Sequence, residues 1–120
     1  MNPKAQEILN RIKYSIKEVA ILVNQFPKTA AAFKITDQIM DSITSVGANF
    51  VEAQSARSKK EFVSIIGIVL KETKETLFWL EIIQELNLAP KEKIDKIYNE
   101  CSELAKIFTA IIMTASKRLK

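Results

Sequence analysis

"KIDKIYNECSELAKIFTAIIMTASKRL", residues 93–119, repeats apolar side chains at two interleaved spacings of seven. Ile94, Cys101, Phe108 and Ala115 form one series, Ile97, Leu104 and Ile111 the other, and Tyr98, Ala105, Ile112 and Leu119 flank them. An α-helix brings residues three and four apart onto one face, so all these positions share one stripe. With three apolar positions in every seven, the stripe has the width of a bundle helix rather than a two-stranded seam. This helix therefore needs several partners, and the rest of the chain has to supply them.

Upstream, "NLAP" (87–90) interrupts the pattern, and Pro90 suits the first turn of this last helix, which the spacing carries to about Arg118. A third helix is expected over about Lys59–Asn87. It opens on Ser58 and Glu61, an S-x-x-E capping box in which the hydroxyl accepts from the Glu61 amide and the carboxylate from the Ser58 amide. A second helix carries Ile39, Ile43, Val46 and Phe50 to about Gln54, with Thr29 and Thr36 both able to cap its start. The first runs from about Lys4 to Gln25 on Ile8, Ile12, Ile16, Val19 and Val23, and Pro27 ends it. Short connections favour antiparallel neighbours, so the chain reads as all-α, an up-down-up-down four-helix bundle in a single domain over residues 1–120.

Composition agrees with long helices, since 120 residues contain only two Gly and three Pro against 48% hydrophobic residues. The third helix is more apolar than one core requires. Phe62, Ile66, Val69, Thr73, Thr76, Leu80 and Ile83 make one face, and Ile65, Ile68, Trp79, Ile82 and Leu86 make a second. An uncovered apolar strip of that length marks an interface, so the second face is expected to pair with further copies of the chain in a homo-oligomer. A single cysteine, Cys101, leaves no internal disulfide and suits a reducing compartment. Lys4, Glu7, Arg11 and Lys13 interrupt the opening, which does not read as a secretory leader. "FVSIIGIVL" in the third helix spans nine uncharged residues, well short of the ~20 that cross a bilayer, so a cytoplasmic chain without membrane contact is expected.

Candidate chemistry is sparse. There is no histidine, which removes Ser-His and Cys-His pairs and the Glu-x-x-His ligands of di-iron bundles. Glu52, Glu72 and Glu75 would make an all-carboxylate metal site only without the ordered loop that hard cations favour. Cys101 falls on a core position, where a buried thiol is inert. Gly47 and Gly67 stand alone, so no phosphate loop is present. The expectation is a non-enzymatic protein with no metal and no cofactor. Asn49 and Glu52, three residues apart, can face the same neighbouring helix, which suits a polar network that fixes register with Lys71 or Lys74 as partners.

The basic residues gain meaning from the topology. An up-down-up-down bundle brings the start of the first helix, the second turn and the end of the fourth helix to one pole. That pole would hold Lys4, Arg57, Lys59, Lys60, Lys117, Arg118 and Lys120, offset chiefly by Glu7, Glu52 and Glu61. The whole-chain charge is +4. A single such end is an ordinary solvated surface; in a cyclic oligomer with parallel protomers it becomes a ring of positive charge able to hold an RNA or DNA backbone without reading sequence. A protein-interaction scaffold that recruits a partner protein is the alternative.

Three stretches, "SVGANFVEAQSARSKKEF", "LKETKETLFWLEII" and "CSELAKIFTAIIMTASK", closely resemble the bacterial 23S rRNA intervening-sequence proteins, over roughly Thr36 to Lys117. The family's closing pattern of helix 2 is matched by Ser45, Val46, Asn49 and Glu52, and its opening of helix 3 by Ser58 to Phe62. A third block is matched by Lys71, Glu72, Glu75, Thr76, Trp79 and Leu80. The chain departs from the family at Met40 and Asp41, where many relatives are basic, and in lacking an aromatic-rich opening. The resemblance implies an antiparallel four-helix protomer and, because members tend to form homopentamers, a pentamer. Some members are encoded within segments that interrupt ribosomal RNA genes, which implies nucleic acid as a partner only by association.

Overall fold

Three polar side chains start three of the helices. Asn2 accepts from the Ala5 amide at 2.8 Å, Thr29 from Ala32 at 3.2 Å and Ser58 from Glu61 at 3.0 Å. In the computed structural model, which describes residues 1–117, the helices are α1 (Pro3–Asn24), α2 (Ala30–Ala53), α3 (Lys59–Glu85) and α4 (Lys91–Lys117). No strand occurs among the described residues.

The boundaries refine the sequence expectations in physical terms. Thr29 caps α2; Thr36 lies inside it and donates its hydroxyl to the Ala32 carbonyl at 2.8 Å. At α3 the Ser58 half of the capping box forms, but the Glu61 carboxylate accepts from the Arg57 amide at 3.2 Å instead of from Ser58. The helix closes at Glu85 because Asn87 adopts a left-handed conformation, φ 53°. From there Asn87 N–H donates to the Gln84 carbonyl at 3.0 Å and Leu88 N–H to Ile83 at 3.1 Å, the paired bonds of a Schellman motif.

One core runs the length of the molecule, which measures 49 × 23 × 20 Å. Ile12, Ile39, Ile43, Ile66, Leu80 and Leu104 are fully enclosed in it, and Phe50 packs its ring at 6.0 Å from that of Phe108. Each sequential pair of helices packs together, and α1 also packs on α4. Gly47 permits close approach of α1 to α2: a β-carbon there would stand 3.0 Å from Ile16 Cδ1. The seam between α1 and α4 is polar on its outside, where Arg11 pairs with Glu100, Lys96 reaches Glu18 at 3.5 Å and Lys93 donates to Gln25 at 3.1 Å.

Candidate nucleic-acid interface

The first turn of α1, the last turn of α2, the first turn of α3 and the last turns of α4 border one cleft of about 590 Å³. Each helix contributes for a local reason. Asn2 and Ser58 fix where α1 and α3 begin, which sets Lys4 and Lys59 within the first two helical positions of each. Both lysines line the cleft. Thr114 lines it from α4, and Lys117 follows one turn later, exposed. Arg57 and Lys60 are exposed on either side of Ser58. Of the expected basic residues, Lys4 and Lys59 therefore share one feature, with Lys117, Arg57 and Lys60 around it. Arg118 and Lys120 lie outside the described residues.

The acids expected to offset this pole are differently engaged. The Glu61 carboxylate is held by the Arg57 amide. Glu52 and Glu7 are exposed. Asn49 and Glu52 do not form the expected network with α3: Asn49 Nδ2 donates to the Ser45 carbonyl of its own helix at 2.9 Å. A side chain three residues from Glu52 can serve its own backbone as readily as a neighbour. The polar contact that does join α2 to α3 is between Ser42 Oγ and Thr76 Oγ1, 2.8 Å apart and buried. Each oxygen also lies within hydrogen-bonding distance of a carbonyl of its own helix, Ser42 of Ile39 at 3.1 Å and Thr76 of Glu72 at 2.9 Å, so one hydroxyl donates across to the other, which donates to its own backbone. Ser42 and Thr76 break the apolar stripes of their helices, the signal that could have exposed them.

Farther from the pole, Glu72 faces Asp41 and Glu75, and burial followed by the Glu75 charge raises its carboxyl above the ordinary carboxylate range. Glu52 stands about three turns away from Asp41 along α2 and does not join them. No three potential metal ligands gather among the described residues. Burial pushes the Cys101 thiol up to about 12, against a smaller opposing pull from hydrogen bonding to Ser15. The Ser15 oxygen is buried and forms no well-shaped hydrogen bond among the described residues, so its pull on the thiol is weak.

The second face of α3 is partly as expected. Ile68 and Leu86 are 43% and 47% exposed, and Trp79 and Ile82 are half-buried. Ile65 is the correction: at 8% exposure it turns inward beside Ile66 and belongs to the core. Phe78, 51% exposed with its ring edge-on to Trp79 at 4.9 Å, is the large apolar group that the periodicity missed. No helix of the described residues is long and apolar enough to cross a membrane.

A solved structure of similar fold is that of a protein of unknown function from the S23 ribosomal protein family of Bacteroides thetaiotaomicron. It is 30% identical, covers 88% of this chain and 97% of its own, and superposes with a TM-score of 0.81. No curated protein matches the chain. The family profile of the 23S rRNA-intervening sequence proteins matches residues 4–110, so it takes in nearly all of α1 as well as the blocks in α2 and α3 and the first part of the block in α4. The chain belongs to the 23S rRNA-intervening sequence protein family.

Proposed function

We propose that this protein is a non-enzymatic, cytoplasmic, oligomeric bundle that holds a nucleic-acid backbone at its basic pole. The observation that supports this reading is the meeting of Lys4 and Lys59 at one cleft, with Arg57, Lys60 and Lys117 around it. Within the protomer the helices run up, down, up and down; Arg11 with Glu100 and Gln25 with Lys93 are the pairs that support opposed α1 and α4. Copies associate as a homopentamer through α3, where Ile68, Phe78 and Leu86 leave hydrocarbon uncovered. A ring of such protomers multiplies the cationic pole, and lysines act on phosphate as point charges without reading bases.

Binding to labelled structured RNA and duplex DNA, measured at about 50 and 200 mM salt, tests the reading. A protein contacting ~6–10 phosphates loses about 10³–10⁵ in affinity over that range. The slope should flatten when Lys59 and Lys60 are reversed to Glu and flatten further when Lys4 and Lys117 are neutralised. No binding at low salt overturns it. The second reading is a scaffold that captures a partner protein, and the Phe78–Trp79 pair on the outside of α3 favours it. Partner capture that survives the Lys59→Glu, Lys60→Glu variant, with no RNA in the complex, would select the scaffold.

A further inference from the structure

The cleft at the basic pole is built of more than charge. Its walls are hydrocarbon: Ile8 from α1, Phe62 from α3, and Ile107 and Ile111 from α4. Phe62, Ile107 and Ile111 are only half-buried, so apolar surface stands open to water at a place where four helices converge. A volume of about 590 Å³ lies inside the range of ~300–1,000 Å³ typical of small-molecule sites. The charged groups in its lining are Lys4 and Lys59, with no carboxylate among them, and the first turn of α1 carries no acid. Neither lysine has an ion-pair partner among the described residues.

Those features select among ligands. Asn2, Gln54 and Thr114 also line the cleft, but Asn2 spends its oxygen on the Ala5 amide and Gln54 its amide nitrogen on the Phe50 carbonyl, so a nucleobase would find few partners for its several polar edges and would leave the rest unpaired at a cost. A cationic amphiphile would meet two like charges. An uncharged chain would leave both lysines unused. A single acyl chain ending in a carboxylate uses both the hydrocarbon walls and the two lysines. We propose that the cleft binds one long-chain fatty carboxylate, its chain against Ile8, Phe62, Ile107 and Ile111 and its head paired by Lys4 and Lys59. The proposal does not depend on the nucleic-acid reading, but it draws on two of the same lysines, so the carboxylate competes with phosphate there.

Calorimetric titration of the full chain tests this, with monomeric palmitate, hexadecyltrimethylammonium of equal chain length, and phosphatidylglycerol vesicles as three separate probes. The expected result is saturable uptake of one palmitate per chain and no comparable uptake of the cationic chain. Lys4→Glu with Lys59→Glu should weaken palmitate binding about tenfold or more, the scale of losing charge-assisted contacts. Ala110→Trp should block it by filling the cleft; Ala110 lines it and is exposed, so the fold tolerates the change, as circular dichroism will verify. Absent palmitate binding, equal affinity for the cationic chain, unchanged affinity in both variants, or uptake confined to vesicle surfaces would each overturn the proposal.

Discussion

At Gly47 a β-carbon would stand 3.0 Å from Ile16 Cδ1 and 3.4 Å from Ile12 Cγ2, whereas at Gly67 it would meet nothing within 4 Å. Glycine inside a helix costs roughly 0.5–1 kcal/mol relative to alanine, so Gly67→Ala should stabilise the protein by about that amount in urea denaturation. Gly47→Val adds three carbons to a closed helix contact and should cost about 1–3 kcal/mol in the same assay. Glu72 offers a pH test. Its folded carboxyl is raised by burial first and then by Glu75, so the folded chain binds that proton more readily than the unfolded chain. The stability tied to Glu72 is thus present in acid and lost as pH rises through the raised value. Glu72→Gln should raise the melting temperature at neutral pH, and the advantage should vanish below the ordinary carboxylate range. Cys101, with its thiol raised to about 12 and no exposed surface, should resist thiol reagents at neutral pH until the protein unfolds. Among polar residues the sequence was least informative. A spacing of three made Asn49 and Glu52 look like a pair, yet the interhelical contact belongs to Ser42 and Thr76. Spacing along one helix says which residues share a face; it does not say whether a side chain will spend its hydrogen bonds on its own backbone.

Helix ends were easier to read, because the groups that set them are local. Thr29, Ser58 and Pro27 act within a turn of their own positions. The ambiguity between Thr29 and Thr36 existed because either hydroxyl could cap; the three alanines after Thr29 extend the helix and leave Thr36 inside it. Asn87 was harder, since "NLAP" announces an interruption without giving the residue that turns left-handed. Replacing Asn87 by Gly should leave stability equal or higher. Replacing it by Val should cost about 1–2 kcal/mol in thermal or urea denaturation, the penalty of a β-carbon in that conformation. Ser58→Ala removes the acceptor for the Glu61 amide and should cost about 1 kcal/mol, measurable in the same way.

For the whole molecule, the heptad spacing of α4 and the scarcity of Gly and Pro made the four-helix architecture legible. The convergence of the α1 start, the α2–α3 turn and the end of α4 was legible too, because it follows from connectivity. The cleft there was not: Ile111 sits in the heptad series that reads as core and Ile107 falls outside it, yet both are half-buried, because only the closeness of α1 to α4 decides how far each is covered. Ile65, expected outside, lies in the core and Phe78, given no place, lies outside for a similar reason, since a broad apolar face does not show where a neighbour's edge falls. The proposed association through α3 predicts a mass near five times the 13.6 kDa protomer in light scattering, and Ile68→Glu with Phe78→Glu should shift it toward one.

Loops tie α1 to α2, α2 to α3 and α3 to α4, but nothing covalent joins α1 to α4. That flank is shut by side chains alone: a few ion pairs and polar contacts toward one end, and an open cleft at the other. Breathing motions should therefore start there, with α1 swinging out on its loop to α2 while the remaining three helices stay together. In native-state hydrogen exchange, α1 amides nearest the cleft should be the first helical amides to lose protection, and α3, packed between α2 and α4, the last.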